Sequence, residues 1–211
     1  MNIKNLPKKI AIFPLSSVIF FPKTILPLNI FEDRYIQLVN DSMKDNRLFG
    51  MVLPKVNTGS KPEVYKVGCL GKIISFNETD DKRFIINLSG VIRFRIEEEL
   101  ISTKLYREFN VNYSDFSDDL TNIKNEEQFN KINLLKKIKV FFRKKNYLVD
   151  LNELEKLKFD QLISTICMIS PLSNEEKQKL IETITIKEKL KIFENIINFN
   201  LADNIENKTI Q

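Results

Sequence analysis

The side chains that most often carry catalysis are scarce in this chain. Among its 211 residues there is no histidine and there are only two cysteines, Cys69 and Cys167. Without an imidazole neither a serine nor a cysteine has the usual base to take its proton, and the common Cys/His zinc sites cannot be assembled. Both cysteines sit in apolar runs (Val67-Gly68-Cys69-Leu70 and Ile166-Cys167-Met168-Ile169), so they are expected as buried free thiols. A nucleotide-driven motor needs a Gly-x-x-x-x-Gly-Lys-Ser/Thr loop between a strand and a helix. The one Gly-Lys pair, Gly71-Lys72, runs straight into Ile73 inside a strand-like stretch. These residues predict no enzymatic activity, no cofactor and no metal.

What remains are constellations suited to binding. Glu32-Asp33-Arg34 opens a helical pattern, where acidic groups favour the N-terminal end of the helix dipole. Glu32 is expected to pair with Arg34 or a backbone N–H rather than to act as an acid or base. Asp33 and Gln37, one turn apart, are expected to face outward. In Phe20-Phe21-Pro22 a strand's alternation would turn one of the two aromatics away from the core. An exposed aromatic beside prolines would suit an extended polypeptide. The competing expectation is that strand curvature buries both. Phe20, Phe21, Asp33 and Gln37 are therefore the candidate polypeptide-binding residues.

A second candidate is the run from Lys131 to Lys145, with seven basic residues and no acidic one. Lys136, Lys137, Arg143 and Lys144 project to one helical face, a solvated stripe or an RNA-binding surface. No aromatic side chain lies on that face to stack a base. The net charge of +5 comes from 26 lysines against seven arginines. That skew fits AT-rich codon usage better than phosphate reading, which leans on arginine's planar fork, so nucleic acid is disfavoured as a partner.

The elements that must hold these residues divide in two. All five glycines and six of the seven prolines lie in the first 90 residues, the punctuation of strands and tight turns. Strands are expected at Lys9–Phe13, in a proline-interrupted segment to Leu28, at Leu48–Leu53, in a long hairpin (Val64–Asn77 with Arg83–Ile96) and at Leu100–Tyr113. One helix is expected at Glu32–Met43, and a loop at Asn57–Pro62. Gly68 and Gly71 predict bulges or close backbone approach that curl the sheet. Residues 114–125 read as an acidic linker. Beyond it helices follow at Glu126–Tyr147, at Leu151–Ser170, after the capping box Ser173-Asn174-Glu175-Glu176, and after Thr185-Ile186-Lys187-Glu188. In the first of these, Leu134, Leu135, Ile138, Phe141 and Phe142 share one arc. The expected class is α+β: a small closed or nearly closed sheet over residues 1–113, then a helical bundle over 126–205.

Particular letters go further. Phe13-Pro14-Leu15, then Phe21-Pro22, then Leu26-Pro27-Leu28-Asn29-Ile30-Phe31-Glu32-Asp33-Arg34-Tyr35 resembles the opening of the Lon protease N-terminal domain, the LON substrate-binding domain. Gly90-Val91-Ile92-Arg93-Phe94-Arg95-Ile96 matches its G-x-x-R-F-R-I strand, and Glu176 to Glu182 resembles its K-Q-x-L-L-E helix. The resemblance spans residues 8 to 201. Two departures stand out: Asn29 occupies a place often held by histidine, and the arginine usual after the K-Q-x-L-L-E segment is missing. The resemblance implies a PUA-like β-barrel-like first half and a four-helix second half, in a stand-alone form without ATPase or protease domains. It implies non-catalytic binding of unfolded or hydrophobic polypeptide, as an adaptor or holdase, with an ATP-dependent protease among the partners. The alternative is an RNA-binding PUA-like module, and a weak homodimer through the bundle is left open. Prolines at 14, 22 and 27 break the one long apolar stretch, so neither a membrane span nor a signal peptide is expected and the chain reads as cytoplasmic.

Overall fold

One strand organises the first half of the molecule. In the computed structural model, which describes residues 2–55, 62–122 and 129–206, β5 (Phe84–Leu100) is the longest strand. It is the second arm of a hairpin with β4 (Val67–Glu78), turned through Thr79–Arg83, where Lys82 takes a positive φ of 63°. β5 lies antiparallel to β2 (Ile25–Ile30) over its first third and to β6 (Arg107–Asn112) over its last. β4 pairs with β3 (Leu48–Val52), β3 runs parallel to β1 (Lys9–Pro14), and β1 pairs with β6. The pairings therefore run in a closed circuit, β5–β4–β3–β1–β6–β5, with β2 added along the start of β5.

Register shifts let the sheet turn back on itself. They fall between Leu70 and Gly71, between Ile73 and Ser75, and between Ile96 and Glu98. Gly71 is thus at a bulge as expected, whereas Gly68 pairs in register with Phe94 and permits close approach instead: a Cβ there would collide with the Met51 carbonyl oxygen. β3 is buried at every position, and Ile12, Phe49, Leu70, Ile86 and Phe94 fill the interior. Helix α1 (Asp33–Lys44) buries Tyr35, Leu38 and Val39. Cys69 and Cys167 are buried free thiols.

The segment expected as a linker is structure in its first part. Ser114–Leu120 forms 3-10 turns, with Phe116 buried. The first compact unit runs to Thr121 and the second begins at Asn122. An acidic composition concealed a specific contact. Asp119 accepts from Arg93 Nε and Nη2, both at 2.9 Å, and from the Arg93 backbone N–H at 3.0 Å. The guanidinium also lies 4.4 Å from the centre of the Phe116 ring. Residues 123–128, which include the rest of the expected linker and the start of its following helix, and the loop at 56–61 lie outside the described residues.

In the second unit α2 (Lys131–Lys144) buries Leu134, Leu135, Ile138, Phe141 and Phe142, the arc read from its sequence. The expected helix over Leu151–Ser170 is two helices, α3 (Leu151–Lys156) and α4 (Phe159–Ile169), because Leu157 and Lys158 both take extended ψ angles. The unit therefore has five helices among the described residues, not four. The capping box of α5 (Asn174–Glu182) closes in both directions. Before α6 (Ile186–Glu206), Thr185 Oγ1 accepts from Glu188 N–H at 3.3 Å. No described helix is long and apolar enough to cross a membrane.

The Arg93–Asp119 contact yields a prediction. Both side chains are withdrawn from water, at 3% and 11% exposure, and removing one partner of a buried pair costs about 3–5 kcal/mol. Asp119→Ala should lower the unfolding free energy extrapolated from urea denaturation by about 3–5 kcal/mol. Asp115→Ala, which breaks the half-exposed contact to Arg95, should cost below about 1 kcal/mol. Equal effects would show that Asp119 has no special place.

Candidate functional site

Where β1, β2 and α1 end or begin together, the first unit opens a cleft of about 530 Å³. Its walls are the end of β1 and the two residues after it (Phe13 to Ser16), the end of β2 and the following Phe31 (Leu28 to Phe31), the start of α1 (Glu32, Arg34, Tyr35), and Pro54, Pro62 and Arg107. Phe13 and Tyr35 stack at 3.9 Å and 17°. They are almost fully buried, and burial pushes the Tyr35 phenol above its usual pKa, so it stays protonated at neutral pH.

The charged groups around the cleft are already engaged. Arg34 donates from Nε and Nη2 to Glu32 at 2.9 and 2.7 Å, the pairing expected at the helix start. The Arg34 guanidinium also covers the Tyr35 ring at 4.5 Å. Arg107 makes a two-pronged contact with Glu99, at 2.9 and 2.8 Å, and donates to the Pro62 carbonyl at 2.9 Å. The Arg107 contacts to Glu99 and the Pro62 carbonyl tie two parts of the wall together. Chemically, the cleft offers apolar and aromatic area with a charged rim.

Phe31 is the outlier on that rim. It is 62% exposed, while its neighbour Ile30 is 2% exposed. The alternation of β2 carries one residue past its end here, with Ile30 facing in and Phe31 facing out. At Phe20 and Phe21 the expected alternation fails: they are 2% and 0% exposed. Residues 15–24 are not a strand, so the two-residue period does not apply to them. The segment is instead pinned by Thr24 Oγ1 donating to the Phe21 carbonyl at 2.6 Å, and by Lys23 N–H to Gly90 O at 2.8 Å. Gly90 is required there, because a Cβ would collide with the Phe21 carbonyl oxygen.

Gln37 is likewise committed within the fold. Its Oε1 accepts from Leu105 N–H at 2.9 Å, and one turn on Asp41 accepts from Lys104 Nζ at 2.7 Å and from the Tyr106 hydroxyl at 2.9 Å. Together they clamp the β5–β6 connection to α1. Asp33 alone of the four candidates is an exposed side chain, outside the cleft. On the alternative basic face, Lys137 pairs with Glu194 at 3.0 Å and Lys144 donates to the Leu201 carbonyl, both in α6. Lys136 and Arg143 remain exposed. Two of the four basic groups are thus engaged by α6. Tyr35, Phe31 and Arg107 were missed as cleft residues. Phe31 was findable, since it directly follows a true strand and continues its alternation; Arg107 was not, since nothing local ties it to α1.

A family model described as the ATP-dependent protease La (LON) substrate-binding domain matches residues 9–198. A Lon protease of Dictyoglomus thermophilum is 25% identical over 189 residues, covering 89% of this chain and 24% of that protein. A Lon protease of Desulfosudis oleivorans is 28% identical over 213 residues, covering 93% of this chain and again 24% of that protein. The chain thus spans 24% of the length of these curated relatives. Its structure is similar to the N-terminal domain of the Mycobacterium avium complex Lon protease, with a TM-score of 0.62, 14% identity, and 92% and 99% of the two chains covered. It is also similar to a Lon N-terminal domain protein from Xanthomonas campestris, with a TM-score of 0.58, 21% identity, and 87% and 95% covered. At these identities the structures show the shared fold.

The α1 clamp makes the fold sensitive to acid. The hydrogen bond from Lys104 holds the Asp41 carboxyl below the usual aspartate range. A carboxyl lowered by folding stabilises the native state above its unfolded pKa of about 3.9, and that contribution is lost as pH falls through the folded value. The melting temperature of Asp41→Asn should therefore sit below that of the parent at pH 7. The gap should close as pH drops below about 4. A gap that persists at the lowest pH would place the effect in packing, not charge.

Proposed function

Since the chain belongs to the LON substrate-binding domain family, we propose that it binds exposed apolar segments of unfolded polypeptide in the cleft between β1, β2 and α1. The observation that carries this reading is Phe31. A 62% exposed phenylalanine stands at the mouth of a cleft floored by the stacked Phe13–Tyr35 pair. Apolar area in a concavity with a few fixed polar groups is the general form of a binding pocket.

The neighbouring strand gives the client's backbone something to hold. Among the described residues β2 is paired on one side only, to β5. Gly90 N–H donates to Thr24 O. By the alternation of an antiparallel pair, residues 26, 28 and 30 also turn their backbone groups to β5, and Ile25, Pro27 and Asn29 turn theirs away. An extended client adding to that edge would place a side chain beside Phe31. Pro27 lacks an N–H, which limits the added ladder and discourages edge-to-edge aggregation. Weak, sequence-tolerant binding follows, as an adaptor or holdase working with an ATP-dependent protease requires. Asp33, exposed in the first turn of α1, would add a polar contact at the margin. The binding is non-catalytic.

Phe31→Ser should weaken binding of a reduced and alkylated, permanently unfolded model protein by roughly fivefold, the loss of one exposed aromatic anchor. Its circular dichroism and melting temperature should stay unchanged, because truncating an exposed residue costs within about 0.5 kcal/mol. Phe20→Ser should instead unfold or strongly destabilise the protein, by about 3–5 kcal/mol. Full binding by the Phe31 variant would overturn the assignment of the cleft.

A further inference from the structure

The outer face of α2 is not the plain solvated stripe that its charges suggest. Ile132 and Val140 are 70% and 56% exposed. They lie eight residues apart with Lys136 midway, so the three form one row along the helix. The adjacent row is Lys131, Leu135 and Lys139. Between these rows and α3 runs a groove of about 400 Å³, lined by Lys131, Ile132, Leu135, Lys136, Lys139 and Leu151, with Glu155. Lys131 anchors the wall by donating to the Glu155 and Leu157 carbonyls at 2.7 and 2.8 Å. Lys136 and Lys139 are exposed, and no carboxylate pairs with either among the described residues.

We propose that this groove binds an acidic amphipathic segment of a partner protein, with leucine-like side chains seated on Leu135 and Leu151 and carboxylates set against Lys136 and Lys139. Charge complementarity selects the partner: the lining carries three lysines, all on α2, which has no acidic residue, against one glutamate on α3. Helical spacing selects its form, because lysines three residues apart match carboxylates at helical intervals on a facing helix. The shape argues against an anionic bilayer. Leu135 is 8% exposed and lies in a concavity that a planar surface cannot enter, whereas interfacial helices present a convex apolar face. RNA fits poorly too, since no aromatic side chain lines the groove to stack a base. Glu155 is the one repelling charge in the lining and sets the direction in which an acidic segment lies.

The test uses the whole chain and a fluorescently labelled synthetic helix with leucines at three- and four-residue spacing flanked by glutamates. Binding should fall steeply with salt. It should weaken roughly tenfold in Lys136→Glu/Lys139→Glu, the loss of two charge contacts at the groove. A peptide with glutamine for every glutamate should bind poorly. Ile132→Ser should weaken binding while leaving its salt dependence intact, and Phe31→Ser should leave it unchanged. The proposal is overturned if the acidic peptide fails to bind or if the double charge reversal binds it equally well. It is also overturned if polyuridine RNA or phosphatidylglycerol vesicles, and not the peptide, are the ligands that depend on Lys136 and Lys139.

Discussion

A strand has two edges, and β5 must serve three neighbours. One edge belongs to β4; the other is given first to β2 and then to β6. β2 pairs with β5 only as far as Ser89, and β6 pairs with it only from Arg95 onward, so a gap opens between them. The Arg93 N–H falls in that gap. A buried backbone donor without an acceptor is costly, and Asp119 supplies the acceptor, taking the N–H and the guanidinium together. The 3-10 turns after β6 are therefore part of the sheet's hydrogen-bonding scheme.

The same handover shapes the cleft. Because β2 leaves β5 at Gly90, the chain from Leu15 to Thr24 can fold down over the sheet, bringing the Phe21 carbonyl against Gly90 and both phenylalanines into the interior. β2 then stands as an edge strand whose last residues run directly into α1. That junction places Ile30 inside and Phe31 outside, and sets Tyr35 beneath Phe13. Arg107, on a strand distant in sequence, closes the far wall through Glu99 and the Pro62 carbonyl. Rigid walls would serve the proposed polypeptide-binding role, since less is lost in ordering a preformed receptor.

The two halves stabilise their polar groups differently. In the first unit the decisive contacts join residues far apart in sequence, such as Gln37 with Leu105 and Tyr113 with the Pro7 carbonyl. In the second, many are local caps, and the amphipathic arc of α2 decides its burial. Lys137 and Lys144 show where that local reading stops. Both lie on the solvent side of a helical projection, yet long side chains reach round to Glu194 and to the Leu201 carbonyl, as flexible basic residues do near apolar surface.

The sequence by itself determined the class, most of the elements and the family. Periodicity and caps are properties of neighbouring residues, so α1, β3, the β4–β5 hairpin, the buried face of α2 and the capping box of α5 were legible from a few letters each. The motif from Leu26 to Tyr35 was enough to mark the segment on which the cleft is built. Tertiary structure decided which of those letters face outward and which are spent within the fold. Residues 15–24 are not a strand, so Phe20 and Phe21 do not alternate and both are buried, whereas Phe31 directly follows β2 and continues that strand's in-and-out pattern. An acidic run is a linker only if no buried cation needs it, and Arg93 needs Asp119. Both outcomes depend on residues brought together from distant parts of the chain, which no local pattern records.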